Sequence, residues 1–369
     1  MTKVKFALLV LNVLWLFALS EVSYGARHTA IIIDADNGNI LHEVDATQSW
    51  YPASLTKLMT LYMTFDALRS GRISLYDSLT ASTHASQQPN SKLGLRRGER
   101  LTVEDAILAI ITRSANDASV VLAEHLGNTE SNFAANMTAK AHSLGMYNSQ
   151  FMNATGLPHN LQVTTSRDMA VLALKTRHHF PEYYHYFAAH SFNYKGTELR
   201  GINKFTANYP GAEGMKTGFT CGSGFNLIGA AHQNGRHLIG VVMGGTTSQE
   251  RYQLMMQKMD ASFAQADNPT RNINTMAIRS AGLPPYQLDC GNGAVAQPRS
   301  VSTHINKAVR KQAASAKNKR KPVNNKALKK SVTKTKNSHT KQVKSTNYHK
   351  PKTVIKTSKK TKTTHKTTK

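Results

Sequence analysis

The stretch YPASLTKLMT, residues 51–60, sets a hydroxyl and an amine three residues apart at the start of a helix. The proline suits a first helical turn, and Leu58 and Leu61 continue at helical spacing, so Ser54 and Lys57 share one face. Lys57 falls on the same stripe as the leucines and is expected to point inward. Burial lowers the pKa of a lysine, and its neutral amine can then take a proton from the serine. The alternative is a lysine that lies along the edge of the stripe with its amine in water.

The spacing Ser-x-x-Lys is common enough to arise by chance, and the chain contains it again near its end. Ser331 is followed by Lys334, and Ser338 by Lys341. Neither of these pairs stands at the start of an apolar helical pattern. Context therefore favours Ser54 and Lys57 as nucleophile and base.

Two further polar motifs follow along the chain. Ser114-Ala115-Asn116 lies between two predicted helices, where a short turn projects a hydroxyl and an amide, although a helix cap explains it equally well. Lys216-Thr217-Gly218 precedes a predicted strand that begins near Phe225. Gly218 is expected to let an extended substrate approach an edge strand, while Lys216 and Thr217 offer a charge and a hydroxyl to a terminal carboxylate.

Strand patterns lie at both ends of this region and helix patterns lie between them. Residues 28–34 and 39–44 predict a hairpin, as do 225–231 and 237–243, while residues 257–266 predict a closing helix. Helices are predicted from residue 52 to 71, after the capping pattern Thr102–Asp105, and from residue 117 to 126. This order predicts an α+β fold, with an antiparallel sheet made from both chain ends and helices packed on it.

The net charge of +26 is unevenly distributed. Residues 301–369 hold 22 of the 47 Lys and Arg and no Asp or Glu, which leaves 25 basic against 21 acidic residues before them. The preceding part is nearly neutral. The tail, residues 300–369, is too poor in large apolar residues to fold and is expected to be disordered, and residues 267–299, which carry four prolines, read as a linker.

The first residues predict export. Lys3 and Lys5 precede an apolar run over residues 6–18, and small residues at 23 and 25 suit a signal peptidase, so residues 1–25 are expected to be a signal peptide. An apolar run of this length is shorter than the ~20 residues that span a membrane. The mature protein is expected in the periplasm or cell envelope. Cys221 and Cys290 either form one disulfide there or stay as two thiols.

The three motifs together are far more specific than any one of them alone. Ser-x-x-Lys, Ser-Asp-Asn and Lys-Thr-Gly in this order are typical of penicillin-binding proteins and class A β-lactamases. Here the middle motif reads Ser-Ala-Asn, which keeps the serine and the asparagine. Across residues 26–266 the chain resembles the low-molecular-mass D-alanyl-D-alanine carboxypeptidases, with a β-lactamase/transpeptidase-like fold. The matching stretches are YPASLTKLMT (51–60), SANDA (114–118), LGMYNSQFMNATGLP (144–158), SRDMA (166–170) and YPGAEGMKTGFT (209–220).

The resemblance implies a role for each motif residue. Ser54 attacks, Lys57 is its base, and Ser114 and Lys216 relay protons to the leaving amine. The peptide is held by Asn116, and its carboxylate by Thr217. The resemblance further implies that the amides of Ser54 and Phe219 form the oxyanion hole. Some relatives have histidine where this chain has Phe219. Arg251 reads either as a second carboxylate contact or as a surface arginine.

The resemblance also implies the partners: the stem peptides of peptidoglycan and β-lactam antibiotics, with no cofactor. The basic tail is expected to contact an anionic envelope polymer or lipid surface through residues 300–369, and no physiological nucleic acid is expected. The histidines at 178, 179, 185 and 190 lack metal-ligand spacing, so no metal site is expected.

Three other functions compete with this interpretation. A class A β-lactamase would carry the motif E-x-x-L-N, which is absent from the sequence. A D,D-endopeptidase of cross-linked peptidoglycan would use the same residues on a different leaving group. A non-catalytic wall-binding protein would have no need to retain all three motifs.

Overall fold

The structure, a computed structural model, describes residues 28–265, 271–278 and 282–288. The predicted signal peptide (1–25) and basic tail (300–369) lie outside the described residues, as does Cys290. Within the described ranges, no helix is both long and apolar enough to cross a membrane.

A five-stranded antiparallel sheet forms the centre of the domain. The strands are, in chain order, β1 (Thr29–Asp34), β2 (Ile40–Val44), β3 (Ser78–Thr80), β4 (Arg100–Thr102), β5 (Ser191–Tyr194), β6 (Thr197–Arg200), β7 (Ala212–Thr220), β8 (Gly224–Gln233) and β9 (Arg236–Gly245). The large sheet has the order β2-β1-β9-β8-β7, and β3-β4 and β5-β6 form two small antiparallel pairs. Because β1 pairs with both β2 and β9, the two ends of the domain meet in one sheet, and the predicted α+β fold is confirmed.

Most of the helices come between β2 and β7 in the chain. They are α1 (Thr56–Arg69), α2 (Thr83–Ser86), α3 (Val103–Arg113), α4 (Asn116–Gly127), α5 (Glu130–Ser143), α6 (Ser166–His179), α7 (Pro181–Tyr184), α8 (Lys204–Asn208) and α9 (Ser248–Ala264). The capping box predicted before α3 is present, since the Thr102 side chain accepts from the Asp105 amide and the Asp105 carboxylate accepts from the Thr102 amide.

Both faces of the sheet are buried. Ile31 and Ile33 of β1 belong to the larger apolar cluster, which includes the helices around α1. Ile32 points to the opposite face and packs with Met255 and Met259 of α9. Because successive side chains of a strand point to opposite faces, β1 packs against an apolar layer on each side of the sheet, and its six residues are all buried.

Helix α1 lies in the interior rather than at the surface. Eleven of its fourteen residues are buried. A short 3-10 turn, Ala53–Leu55, precedes it and carries Ser54. Any polar side chain on α1 that points into the domain is consequently removed from water, and this determines the chemistry of Lys57.

Two elements differ from the sequence expectation. The Lys-Thr-Gly motif precedes the strand near Phe225, β8, as expected, but it also lies on a strand that no pattern predicted, β7, at the edge of the sheet. The closing helix begins at Ser248, not at residue 257, because Thr247 caps it by accepting from the amide of Glu250. Arg251 is therefore a helical residue in the first turn of α9.

Part of the predicted linker packs on the domain, which also differs from expectation. Ile273 is fully buried in the larger apolar cluster, and Asn272 forms a bridge with Asn39. Farther along, the Tyr286 ring meets the Trp50 ring edge to face at 5.4 Å. These contacts hold two stretches of residues 267–299 against the N-terminal hairpin and the turn before α1.

Candidate active site

Ser54 and Lys57 come together at the floor of a cleft. The amine of Lys57 lies 3.0 Å from Ser54 Oγ. Ser54 is half-buried and lines the cleft, whereas Lys57 is fully buried beneath it. The residue before the serine, Ala53, has a φ of 48°, a left-handed conformation that is strained for alanine. The serine is thus presented on a strained turn at the end of a buried helix.

Lys57 has two further partners, and their chemistry determines what its amine can do. The amine donates to Asn116 Oδ1 at 2.7 Å and to the carbonyl oxygen of Thr155 at 2.5 Å. Both of these are acceptors only. A neutral amine has two N–H groups and one lone pair, so the two acceptors take the hydrogens and the lone pair points to the Ser54 hydroxyl. This is the arrangement that a general base for Ser54 requires.

The neutral form of Lys57 is favoured by its surroundings. Burial lowers its pKa well below the ordinary value, and the positive charge of Lys216 lowers it further. The carboxylates of Asp117 and Glu130 act in the opposite direction but have the smaller effect.

The second motif occupies the turn between α3 and α4. Ser114 ends α3 with a φ of 56°, which turns its hydroxyl toward the cleft, and Asn116 begins α4. The Asn116 amide nitrogen donates to the carbonyl of Pro89 at 2.8 Å while its oxygen accepts from Lys57. Asn116 thereby joins the loop before it to the base.

Lys216 lies behind Ser114 rather than in the cleft. It is 1 % exposed, and its amine donates to Ser114 Oγ and to the carbonyl of Thr217, both at 2.8 Å. Burial, with a contribution from the charge of Arg251, lowers the pKa of Lys216 to about 7. This position suits proton transfer through Ser114 better than direct contact with a substrate carboxylate.

Arg251 is not a surface arginine. Its side chain is buried, and its guanidinium donates to the carbonyl of Asn226 at 3.2 Å and to Ser248 Oγ at 3.1 Å. Its Nε has no hydrogen-bond partner. Among the described residues, no carboxylate forms an ion pair with it. A buried cation without an anion, on the wall of a cleft that Thr217 also lines, fits a carboxylate ligand.

Two glycines allow the backbone to close around the serine. A Cβ on Gly218 would lie 2.9 Å from the amide nitrogen of Ser54, and a Cβ on Gly156 would lie 1.8 Å from the carbonyl oxygen of Ala53. Gly218 was expected to admit a substrate. Gly218 lines the cleft, and the structure also brings β7 against the serine turn at this position, so the missing side chain allows strand and turn to meet.

The cleft has a volume of about 320 Å³. Its lining residues are Ser54, Asn90, Ser91, Ser114, Asn116, Thr155, Gly156, Leu157, Ile202, Thr217, Gly218, Phe219, Thr220, Phe225 and Arg251. The structure therefore brings all the sequence-predicted site residues to one place, with Lys57 and Lys216 beneath the surface and the others on it.

Sequence reasoning missed several residues that hold this site. Asn226 donates from its side chain to the carbonyls of Tyr51 and Pro52 and accepts from the amide of Gly244, and so ties the serine turn to the sheet. Asn153 accepts from the amide of Gly156 at 2.8 Å and shapes the loop that offers the Thr155 carbonyl. The resemblance of residues 144–158 to the carboxypeptidase family could have pointed to Asn153, whereas no sequence pattern points to Asn226.

The histidine cluster separates in the structure. His178 Nε2 lies 2.7 Å from the Ala35 carbonyl, and His179 Nδ1 lies 2.7 Å from the Tyr62 hydroxyl. The His185 ring lies beside the Tyr186 ring, with centroids 4.4 Å apart. In the part of the chain that the structure describes, no group of three or more His, Cys, Asp or Glu could hold a metal ion. Cys221, at the turn after β7, is disulfide-bonded, which decides between the two states left open for it.

Comparison with known families gives one match over most of the domain. The profile of the Peptidase_S11 family, described as D-alanyl-D-alanine carboxypeptidase, matches residues 19–247. D-alanyl-D-alanine carboxypeptidase DacF of Bacillus subtilis is 32 % identical over 251 residues, which are 67 % of this chain and 64 % of that protein. DacC of Escherichia coli is 31 % identical over 255 residues, again 64 % of its length. The chain thus spans just under two thirds of the length of these relatives.

Solved structures give the same result. Penicillin-binding protein 5 of Haemophilus influenzae superposes with a TM-score of 0.62 at 31 % identity, covering 67 % of this chain and 73 % of that one. Penicillin-binding protein D2 of Listeria monocytogenes, solved in an ampicillin-bound form, superposes with a TM-score of 0.57 at 28 % identity. The superposition covers 64 % of this chain and 96 % of that one.

Proposed function

Because this chain belongs to the D-alanyl-D-alanine carboxypeptidase family of peptidases, we propose that it is a serine carboxypeptidase that removes the terminal D-alanine from peptidoglycan stem peptides. The observation that carries the proposal is the position of Lys57, whose buried amine lies 3.0 Å from Ser54 Oγ. A non-catalytic binding domain gains nothing from burying a lysine under a serine, because the burial costs stability.

Acylation begins with attack by Ser54 Oγ on the carbonyl carbon of the penultimate residue. The hydroxyl proton passes to Lys57, and the new oxyanion accepts from the backbone amides of Ser54 and Phe219. The peptide bond then breaks as the leaving amine takes a proton from Ser114, which Lys216 replaces. D-alanine departs, and the shortened peptide remains as an ester on Ser54.

Before deacylation, Lys57 gives up to water in the cleft the proton that it took from Ser54, and Lys216 takes one up through Ser114, so that Lys57 is again neutral and Lys216 again protonated. Deacylation then follows with water as nucleophile. Lys57 accepts a proton from water, the water oxygen attacks the ester, and Ser54 Oγ leaves with a proton returned by Lys57. The products are the trimmed peptide and the free enzyme. Lys57 must be neutral before Ser54 attacks the peptide and again before water attacks the ester. Its lowered pKa favours this neutral form.

The substrate would be held at both ends of the cleft. Thr217 Oγ and the Arg251 guanidinium bind the terminal carboxylate, and the buried charge of Arg251 supplies the attraction. The Asn116 amide nitrogen carries two N–H groups, of which Pro89 takes one. We assign the second to a carbonyl of the stem peptide.

The proposal extends to β-lactam antibiotics as covalent inhibitors. A β-lactam presents a strained amide beside a carboxylate, which are the two groups that Ser54 and Arg251 would recognise. Penicillin-binding protein D2, which this chain resembles, has been solved with ampicillin and with cefotaxime. An acyl-enzyme on Ser54 is expected here.

The cellular setting is proposed from the sequence alone. The charged and then apolar start of the chain supports export to the periplasm or envelope, with cleavage after residue 25. The 22 Lys and Arg of residues 301–369, with no acidic residue among them, support an electrostatic tether to an anionic envelope polymer or lipid surface.

The activity is tested by release of D-alanine from a diacylated L-Lys-D-Ala-D-Ala tripeptide. Purified protein is expected to release one D-alanine per peptide, and Lys57→Arg is expected to release none, because arginine keeps the charge but cannot act as the base. A Lys57→Arg variant with near wild-type turnover would reject the general-base role. Absence of release by wild-type protein that still reacts with penicillin would reject the carboxypeptidase function.

A further inference from the structure

One side of the catalytic cleft carries an exposed aromatic ring. The large apolar side chains that are exposed among the described residues are Tyr76, Tyr147, Leu161, Ile202, Phe219, Ile278 and Leu283. Phe219 is 46 % exposed and lines the cleft. An apolar side chain left open in a binding cleft offers apolar surface to a ligand.

A second ring holds Phe219 in place. Phe219 and Phe225 are directly opposite each other on β7 and β8, and their rings stack with centroids 4.2 Å apart. Phe225 also lines the cleft. Because both backbones belong to the sheet, the two rings form a fixed apolar wall rather than a mobile loop contact.

This ring pair lies beside the cation assigned to the terminal carboxylate. The Arg251 guanidinium carbon is 5.5 Å from the centroid of the Phe225 ring, and its nitrogen is 3.4 Å from the carbonyl oxygen of Gly218, the residue before Phe219. The charged part of the cleft and its apolar wall therefore meet at Arg251.

The last residue of a peptide carries its carboxylate and its side chain on the same carbon atom. A carboxylate bound at Arg251 consequently brings the side chain of the leaving residue within a few ångströms of the ring pair. The methyl group of D-alanine covers little of such a wall, whereas a branched or aromatic side chain would cover more of it and gain from its burial.

Resting on the proposed function, we propose that Phe219 and Phe225 form the subsite for the side chain of the leaving D-residue. The enzyme then releases terminal D-residues with large apolar side chains as well as D-alanine. Phe219 is a specificity-determining residue in this account, and the reaction at Ser54 is unchanged.

The test uses the full chain and diacylated L-Lys-D-Ala-D-Xaa tripeptides in which Xaa is alanine, leucine or phenylalanine. Release of each D-residue gives kcat/KM for wild type, Phe219→Ala and Phe219→Leu. Tyr76→Ala serves as the matched control, since Tyr76 is an exposed aromatic residue, 81 % accessible, outside the cleft lining. Labelling with a fluorescent penicillin measures the fraction of each variant that is folded and reactive.

We expect wild type to release D-leucine with a kcat/KM within about tenfold of that for D-alanine. Phe219→Ala should lower the ratio of D-leucine to D-alanine release by about tenfold or more, and Phe219→Leu should restore most of it, because the leucine side chain again offers apolar surface. Tyr76→Ala should leave the ratio unchanged.

Two results would overturn the assignment while leaving the proposed function in place. One is a wild-type enzyme that releases D-alanine but not the larger residues. The other is an unchanged ratio in Phe219→Ala. Failure of wild type to release any D-residue would reject the proposed function and the subsite together, so the two outcomes are distinguishable.

Discussion

The side-chain oxygen of Asn116 lies 2.7 Å from the amine of Lys57, so the second motif fixes the base that the first motif supplies. Asn116 is neutral and therefore orients Lys57 without adding a negative charge, which would stabilise the ammonium form much more strongly. A general base must be held in place and must also be deprotonated. The contact with Asn116 meets the first requirement, and the burial of Lys57, which lowers its pKa, meets the second.

Replacing Asn116 by aspartate should preserve shape but alter the acid limb of the pH–rate profile. A carboxylate next to Lys57 raises the pKa of the amine, so a higher pH is needed to deprotonate it. We expect the acid limb of kcat/KM for D-alanine release to move upward by about one pH unit or more. Asn116→Ala, which removes the contact without adding charge, should lower the rate with no upward shift. An unshifted limb in Asn116→Asp would contradict the role assigned to Asn116.

Lys216 should make the protein less stable near neutral pH than at alkaline pH. Its pKa is lowered to about 7 in the folded protein, whereas an unfolded chain restores the ordinary value of about 10.4. Between these values the unfolded state binds more protons, so stability rises with pH. From pH 7 to 9 the rise in the free energy of unfolding should be on the order of 2 kcal/mol smaller in Lys216→Met than in wild type. Urea unfolding at both pH values measures the free energy of unfolding of each protein. If it changes by the same amount between pH 7 and 9 in wild type and Lys216→Met, the burial argument is refuted.

Gly156→Ala should damage catalysis much more than another glycine substitution at a similar φ. The new Cβ would lie 1.8 Å from the Ala53 carbonyl, so the turn that carries Ser54 must move. A displacement of about 1 Å commonly costs about 100-fold in rate, and we expect a loss of that size in penicillin acylation. Gly145 has a φ of 86° and no neighbour within 4 Å of a Cβ, which makes Gly145→Ala the matched control. Equal acylation rates in the two variants would remove the role given to Gly156.

The basic tail should bind envelope material in a salt-dependent manner and be dispensable for chemistry. Exposed charges attract an anionic surface by up to about 1 kcal/mol each, and salt screens them within about 10 Å at 0.1 M. Sedimentation with isolated envelopes across a salt series compares the full chain with a form truncated after Arg299. We expect salt-sensitive binding by the full chain only, with equal D-alanine release by both. Equal binding that salt does not alter would reject the tether.

The elements with strong periodicity could be predicted from the sequence, while those set by tertiary contacts could not. The N-terminal hairpin, helix α3 with its capping box and the β8–β9 hairpin all follow from local patterns. Strand β7, with its glycines at 214 and 218, has no strand pattern of its own and exists because it pairs with β8. Helix α9 did carry a signal, since Thr247 precedes Glu250 by three residues.

The site shows the same division. Residue types and spacing identify Ser54 and Lys57, but the carbonyl oxygen of Thr155 is a backbone atom that any residue could supply. The two interpretations of Arg251 could not be separated by sequence, because burial depends on how α9 packs against β8. Its function as a carboxylate contact stays a prediction.

The central claim, that Ser54 is the nucleophile activated by Lys57, is tested most directly by mass spectrometry of the purified protein after incubation with a penicillin. We expect one covalent adduct of the mass of the penicillin, located on the peptide that contains Ser54. No adduct is expected on Ser54→Ala, since removal of a nucleophile commonly costs on the order of 10⁶ in rate. Ser331→Ala and Ser338→Ala, which alter the other two Ser-x-x-Lys sequences, should react like wild type. An adduct that persists on Ser54→Ala would contradict the account.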